Sequence, residues 1–208
     1  DFSGKGNNGT LTNMAFPAVA TSGWATAGKL GGAINFDGSN DYVDAGSAAV
    51  LDNMGPGTAS AWIFSRSVGA TDQHIFSKRP NSLGGWQFGR ASDGGDRIQF
   101  VTSYSSSNFV RLSNNNVLSP NVWQHVVVTW DGSATAANAK IYINGKETTY
   151  AYTSDGGGTR TDDAANNLNI GARSDGAVAF NGLIDEVRVY NRALSAGEIT
   201  TLYNSGAA

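Results

Sequence analysis

The residue with the least expected position is Asp185, in the stretch GLIDEVRVYNRALS near the end of the chain. Residues 183 to 190 alternate as a half-buried β-strand does, and on that two-residue period Asp185 shares a face with Leu183, Val187 and Val189. A buried carboxylate without a partner is costly. The group must therefore be protonated, hydrogen-bonded, paired with a basic side chain or bound to a metal ion.

Carboxyl pairs are the first candidates for catalysis, because glycoside hydrolysis normally uses two carboxyl groups across a cleft, one of them with a raised pKa. The chain has three glutamates: Glu147 follows an Asn-Gly turn, Glu186 lies on the strand face opposite Asp185, and Glu198 has the spacing of a helix cap. Nothing in the spacing of the aspartates selects a pair. The sequence therefore does not predict a hydrolase site.

Gln73 and His74 are the sharper candidates for an enzyme, because β-elimination by a polysaccharide lyase can use Gln, His, Tyr and Arg without a carboxylate base. Arg66 and Arg79 are close to them in sequence. Adjacent residues of a strand point to opposite faces, however, so Gln73 and His74 are not expected to face one cleft. A lyase remains an alternative. The other histidine, His125, is interpreted as structural, and two histidines exclude a His-cluster metal site.

The composition excludes several classes of function. The net charge is -3, and 14 Lys and Arg are spread along the chain, which argues against nucleic acid as a partner. The absence of cysteine excludes disulfides and zinc-thiolate sites. No apolar run approaches the roughly 20 residues that cross a bilayer, and the first residues do not have the pattern of a signal peptide. We expect a soluble domain without membrane insertion, preceded in a larger protein by a leader or by neighbouring domains.

Short strands separated by tight turns dominate the pattern, and the 27 glycines supply the positive φ angles that turns need. The spacing predicts one all-β domain over residues 1–208, a two-sheet antiparallel sandwich. The predicted strands are AINF, DYVDA, TASAWIFS, QHIFSK, GWQFGR, RIQFVTSY, FVRLS, WQHVVVTW, the two halves of KIYINGKET, NLNIGAR and FNGLIDEVRVYN. The segment TSDGGGTRTDDAANN, residues 153–167, is predicted to be a surface loop because it is polar and rich in glycine.

One short C-terminal helix follows the last strand. Ser195 and Glu198 have the S-x-x-E spacing of a capping box, and Ile199, Leu202 and Tyr203 form one apolar face. We expect about two turns that pack on the sandwich.

Five of these motifs, in this order, resemble the laminin-G-like jelly-roll domains of the concanavalin A-like lectin and glucanase superfamily. They are INFDGSNDYVDAG, WQHVVVTWDG, IYINGKE, LNIGAR and FNGLIDEVRVYNRALSAGEI. The opening DFSGKGNNGTLTN also resembles the first loop of that family, although the chain starts at Asp1, without the apolar strand that usually precedes this loop. The resemblance implies a jelly roll of two antiparallel sheets. The E-x-D-x-x-E arrangement of the superfamily's glucanases and the Gln-x-His pair of its lyases are both absent.

The resemblance also implies a structural calcium ion near the DGSND turn and the last strand, which terminal-strand pairing would bring together. Calcium prefers six to eight oxygen ligands. The predicted ligands are Asp37, Asn40, Asp41 and Asp185. The alternative is that Asp185 accepts backbone N–H bonds from the turn or pairs with an arginine.

The resemblance favours a non-catalytic carbohydrate-binding or adhesion module of a secreted or surface-displayed protein. A sugar ring packs on an aromatic side chain while its hydroxyls need polar partners. The predicted sugar-binding residues are Trp86, Arg90, Gln99, Tyr104, Arg111 and Tyr152. Two alternatives remain: an architectural or protein-binding module without a sugar site, and a jelly-roll lyase or hydrolase.

Overall fold

The computed structural model describes residues 3–67, 72–81 and 84–207, which contain fifteen β-strands, one α-helix and two short 3-10 helices, Ala49–Leu51 and Ala136–Asn138. In chain order the strands are β1 Thr10–Thr12, β2 Gly23–Ala25, β3 Ala33–Asp37, β4 Tyr42–Asp44, β5 Gly57–Ser65, β6 Gln73–Ser77, β7 Trp86–Arg90, β8 Ile98–Thr102, β9 Phe109–Ser113, β10 Trp123–Trp130, β11 Lys140–Ile143, β12 Lys146–Glu147, β13 Tyr150–Ser154, β14 Asn169–Ile170 and β15 Asn181–Tyr190, and the helix α1 is Ala196–Ala207.

The strands form two antiparallel sheets. The eight-stranded sheet has the order β1-β4-β14-β6-β7-β8-β9-β13, and the seven-stranded sheet has the order β12-β11-β10-β5-β15-β3-β2. Neighbours in each sheet come from distant parts of the chain, as in β4-β14-β6 and β5-β15-β3. This architecture confirms the predicted two-sheet antiparallel jelly-roll sandwich with a short C-terminal helix.

The core lies between the two inner faces and is rich in aromatic rings. Phe100 and Phe109 pack edge to face with centroids 5.7 Å apart, and each lies 5.8 Å from Trp130 of the opposite sheet. The period-2 alternation of each strand sends these rings inward and the intervening residues outward. The outer face of each sheet is therefore free to carry polar or helix-packing residues.

A β-bulge in β15 changes the predicted face assignment around Asp185. The register against β5 shifts between Asp185 and Arg188, and Glu186 has a φ of 50°. Ile184 faces the core, whereas Asp185 pairs with Trp62 on the outer face. The prediction that Val187 and Val189 share a buried face with Asp185 is wrong, because the extra residue of a bulge interrupts the alternation and both valines are exposed.

The helix α1 begins with the predicted capping box and packs on the outer face of the seven-stranded sheet. The Ser195 N–H donates to Glu198 Oε2 at 2.9 Å, and the Glu198 N–H donates to Ser195 Oγ at 3.4 Å. Ile199 is fully buried against Val127 and Tyr142. The helix is longer than expected, since its regular hydrogen bonding continues through Gly206 to Ala207. No helix in the described ranges is both long and apolar enough to cross a membrane.

Three strands, β1, β2 and β13, were not predicted. β1 and β2 are three residues each, and β13 begins at Tyr150 and ends at Ser154, inside the segment predicted as a surface loop. That segment is also less exposed than its composition indicates, because Asp163 is fully buried beside Lys78. A polar residue enters the interior here because a cationic partner accompanies it.

Candidate functional site

The outer face of the eight-stranded sheet carries polar and aromatic residues, and it is buried at β6 and β7 but partly exposed from β8 to β13. Cross-strand register places one residue from each of five strands in a line that runs from β6 to β13. We call this line the outer-face row, and its members are His74, Gly89, Gln99, Leu112 and Tyr152. The accessible part of the row, from Gln99 to Tyr152, covers three strands, or roughly 10 Å at the usual spacing.

The exposed end of the row is at β13, where Tyr152 is 54% exposed next to the half-buried Leu112 and Gln99. An exposed tyrosine on a sheet edge offers an aromatic face and a hydroxyl to a ligand. Gly89 keeps the middle of the row flat: a Cβ there would lie 2.3 Å from the Gln73 carbonyl oxygen, so no side chain fits. The row therefore combines an aromatic platform with a level floor.

A polar cluster adjoins the buried end of the row. Its members, from β6 and the loops around it, are Asp72, His74, Arg79, Arg173 and Asp175, which lie close enough to alter one another's pKa. Three of them are fixed by hydrogen bonds: Arg173 Nε donates to Asp175 Oδ1 at 2.9 Å, and Gln99 Nε2 donates to Asp72 Oδ1 at 3.3 Å. The cluster contains two arginines and two aspartates, so opposite charges offset each other.

Arg79 is held along the sheet surface. Its Nε donates to Ser103 Oγ at 2.9 Å and its Nη1 donates to Gln87 Oε1 at 3.0 Å. Burial, followed by the nearby Arg173, lowers the pKa of Arg79. A guanidinium in this setting is preorganised by its neighbours, which reduces the entropy that ligand binding would otherwise cost.

His74 is neutral at pH 7 in this environment. Burial first, and then the positive charges of Arg173 and Arg79, lower its pKa to about 4, while Asp175 acts more weakly in the opposite direction. Its Nδ1 has no hydrogen-bond partner among the described residues, and the same is true of Asn169 Oδ1 on the adjacent strand β14. Both atoms are buried, so neither offers an exposed hydrogen-bonding group to a glycan.

Two of the predicted sugar-binding residues are wrong, because they lie inside the sandwich. Trp86 is 1% exposed and packs against Phe100, with ring centroids 6.3 Å apart. Arg90 is 2% exposed and pairs with Asp96 at 2.9 Å. Both lie on the inward-facing phase of β7, whereas Gln87 and Gly89 lie on the outward-facing phase.

The other predicted residues are only partly brought together. Gln99 and Tyr152 share the outer-face row. Arg111 lies on the other phase of β9, where its guanidinium stacks 3.3 Å from the centre of the Tyr150 ring. Tyr104 lies beyond the end of β8, half-buried under Gly156, and burial raises the pKa of its hydroxyl. The alternation of GWQFGR could have identified Gln87 as a residue of the outer face. No local sequence pattern indicates that Arg173 or Asn169 lies near it.

The four predicted calcium ligands do not form one site. Asp37 pairs with Asn181 on β15, which places it four residues, or roughly 13 Å, along that strand from Asp185. Within the turn, Asp37 Oδ1 accepts N–H bonds from Ser39 and Asn40, at 2.7 and 3.4 Å. In the described part of the chain no group of three or more His, Cys, Asp or Glu side chains is placed to hold a metal ion. A structural calcium ion therefore stays a prediction.

Asp41 is fully buried and belongs to the same turn. Its Oδ2 accepts the N–H of Asp37 at 3.1 Å. Burial raises the pKa of Asp41, although the hydroxyl of Ser22 and the N–H of Asp37 act in the opposite direction. The carboxylate thus closes the turn by hydrogen bonds.

Two backbone hydrogen bonds explain how the carboxylate of Asp185 is accommodated in the last strand. Its Oδ2 accepts the N–H of Leu30 and its Oδ1 accepts the N–H of Glu186, both at 2.8 Å. The alternative of backbone N–H partners is confirmed, but the donors are the loop before β3 and the bulge of β15 instead of the DGSND turn. The Asp185 side chain, which is 9% exposed, thereby links the loop before β3 to the bulge of β15.

Asp185→Asn is expected to cost about 1.5–3 kcal/mol of unfolding free energy, because one N–H would then face an amide NH2 and the charge would be lost. Urea unfolding in calcium and in chelator measures this loss, with Asp93→Asn as a surface control. Equal losses in both buffers support the hydrogen-bond role. A loss confined to the calcium buffer would identify Asp185 as a metal ligand.

A family model and solved structures place the chain among known proteins. The family model Laminin_G_3, described as concanavalin A-like lectin/glucanases superfamily, matches residues 37–200. A search of curated proteins found no match. Similar solved structures include the binding domain of Paraclostridial Mosquitocidal Protein 1, with 16% identity, a TM-score of 0.70, and coverage of 96% of this chain and 48% of that one.

Two further structures have the same fold. The binding domain of botulinum neurotoxin serotype G has 15% identity and a TM-score of 0.68, covering 99% of this chain and 48% of that one. Domain 4 of the GH43 extracellular arabinanase AbnA from Geobacillus stearothermophilus, solved with arabinotriose, has 19% identity and a TM-score of 0.56, covering 94% and 87%. The chain spans about half the length of the two toxin binding domains.

Proposed function

Because the chain belongs to the concanavalin A-like lectin/glucanases superfamily, we propose that it is a non-catalytic module that binds a glycan on the outer face of its eight-stranded sheet. The observation that carries the proposal is the outer-face row, in which the exposed Tyr152 continues through Leu112 and Gln99 toward the polar cluster. An aromatic face for the C–H side of a sugar and fixed hydrogen-bonding groups for its hydroxyls are the parts that such a site needs.

The proposed setting is a larger secreted or surface-displayed protein. The arabinanase domain of the same fold comes from an extracellular enzyme and holds an oligosaccharide, and the two toxin binding domains are about twice as long as this chain. These proteins share the fold at 15–19% identity, so they support the kind of module and not its ligand. A protein receptor is the alternative partner.

Tyr152→Ala is expected to weaken glycan binding by about 2 kcal/mol, or roughly 30-fold in Kd, as expected for a residue that anchors a ligand. The melting temperature should stay unchanged, because the side chain is mostly exposed. A polysaccharide array that includes arabinan selects the ligand, and isothermal titration calorimetry of the strongest hit gives the Kd.

Trp24→Ala is the matched control, since Trp24 is an equally exposed aromatic residue on the other sheet. It should bind as the unmodified protein does. An array without any hit, or a Tyr152→Ala variant that binds as well as the control, would overturn the proposal.

An enzyme is the second candidate, because two carboxyl groups of the polar cluster have pKa values displaced in opposite directions. Burial raises the pKa of Asp72, while the hydrogen bond from Arg173 lowers that of Asp175. Such divergence is typical of acid–base pairs. Both groups, however, are already engaged, by Gln99 and by Arg173. We therefore expect no depolymerisation of alginate, β-glucan or galactan, and turnover that Asp72→Asn abolishes without unfolding would establish the enzyme instead.

A further inference from the structure

A second groove lies on the opposite sheet, away from the outer-face row. It has a volume of about 320 Å³, near the lower end of the roughly 300–1,000 Å³ usual for small-molecule sites. Its floor is formed by β10 and β11, one wall by the turn after β10, and the other by the start of α1. The lining residues that matter here are Thr129, Asp131, Asn138, Lys140, Tyr142 and Ala193.

The polar wall of this groove is held rigid before any ligand arrives. Asp131 Oδ1 accepts from the N–H and the hydroxyl of Ser133, at 2.9 and 2.7 Å, and Asp131 Oδ2 accepts from Asn138 Nδ2 at 2.7 Å. The side-chain NH2 group of Asn138 donates to Asp131 and to Ser133, which leaves the side-chain carbonyl oxygen of Asn138 as an acceptor. Although burial acts to raise it, the pKa of Asp131 is lowered by these hydrogen bonds. The wall therefore presents fixed acceptor oxygens.

The opposite wall is equally fixed. The Thr58 hydroxyl donates to the carbonyl oxygen of Arg192 and accepts the N–H of Leu194, both at 2.9 Å, which ties the approach to α1 onto β5. The floor of the groove is also held in place, because Tyr142 is almost fully buried and packs against Leu194. Neither wall must reorganise when a ligand enters, which lowers the cost of binding.

The charges around the groove disfavour an anion. Lys140 is engaged by Glu147 at 3.2 Å, and Arg192 is engaged by Glu198 at 2.6 Å. The capping box already uses the N–H groups of Ser195 and Glu198. Asp131 forms no salt bridge within the described ranges, so its charge is stabilised only by neutral hydrogen-bond donors. A neutral ligand rich in hydroxyl donors matches acceptors of this kind.

We propose that this groove binds a single neutral sugar ring, whose hydroxyls donate to Asp131 and to the Asn138 carbonyl oxygen while its C–H face lies over the apolar wall at Ala193. This site is independent of the outer-face row and gives the module two glycan contacts on opposite sheets. Two weak sites on one rigid body raise the apparent affinity for a branched or dense glycan surface.

The test is an NMR titration of the ¹⁵N-labelled chain with methyl pyranosides of glucose, galactose and mannose, and with glucuronic acid. We expect amide shifts confined to residues 131–140 and 193–196 for at least one neutral glycoside, and at least tenfold weaker binding of glucuronic acid. Ala193→Trp fills the groove and should weaken binding at least tenfold. Ala48→Trp, the same change at another exposed alanine, should not.

Several outcomes would overturn the proposal: no shifts with any neutral glycoside, shifts outside the groove, equal binding by the two tryptophan variants, or equal binding of glucuronic acid. Tyr152→Ala separates this site from the outer-face row. Monosaccharide binding should survive that substitution, whereas binding that disappears with Tyr152 would belong to the other sheet and would contradict a second site.

Discussion

Replacement of Lys78 by alanine is expected to lower the unfolding free energy by about 3–5 kcal/mol. Lys78 is 0% exposed, and its Nζ lies 2.9 Å from Asp52 Oδ1 and 3.8 Å from Asp163 Oδ1. It also donates to Ser47 Oγ at 3.1 Å and to the carbonyl oxygen of Asn166. Without the ammonium group, the fully buried Asp163 keeps Arg160, at 3.3 Å, as its one cationic partner among the described residues, together with the N–H of Asn53 at 2.7 Å.

Urea unfolding of Lys78→Ala, of Lys140→Ala and of the Lys78→Ala, Asp163→Asn double variant measures the contribution of the buried ion pair to stability. Lys140→Ala, which removes an exposed salt bridge with Glu147, should cost less than about 1 kcal/mol. Adding Asp163→Asn to the Lys78 variant should recover part of the loss, because it removes the uncompensated charge but keeps the shape. A Lys78→Ala variant that loses no more stability than Lys140→Ala would show that the buried ion pair does not stabilise the fold.

Acidification from pH 7 to pH 4 is expected to cost about 3 kcal/mol for each of the two histidines. Burial, and then nearby arginines, lower the pKa of His74 and of His125 from 6.5 to about 4 in the folded chain. The unfolded chain therefore takes up protons first. The stabilisation is complete above pH 6.5 and is lost as the pH falls toward 4, where both folded-state groups begin to titrate.

The chain contains only these two histidines, so the test has a clean reference. The difference in unfolding free energy between the unmodified chain and a His74→Asn, His125→Asn double variant should shrink by about 6 kcal/mol between pH 7 and pH 4. Aspartates and glutamates contribute equally to both proteins and cancel. A constant difference across this range would mean that neither histidine has a depressed pKa.

The sandwich was predictable because most of its strands show a local alternation of apolar and polar residues. Segments such as WQHVVVTW and KIYINGKE combine β-branched residues with an Asp-Gly or Asn-Gly turn, and both form strands where expected. The short strands β1 and β2 carry too few residues for any period, and β13 lies in a polar segment. Only long-range pairing defines these three strands, and that pairing is not visible in a local window.

The candidate site was less predictable, because its residues converge from distant loops. Gln99 and Tyr152 were identified by type, yet their neighbour Leu112 was not, since its role depends on cross-strand register. Trp86 was misassigned because alternate residues of a strand face the core and the outside, and the sequence alone does not tell which set of alternate residues faces the core. At Asp185, a bulge reversed the face assignment downstream of it.

The central position of β15 has a consequence for synthesis on the ribosome. This strand lies between β5 and β3, so the N-terminal strands β2 and β3 join the seven-stranded sheet only after β15, residues 181–190 of 208, has been made. Until then the nascent chain holds two unpaired strand edges, and such edges template aggregation. We expect the emerging chain to need a chaperone's protection, and fragments that stop before Asn181 to accumulate as insoluble material when produced alone.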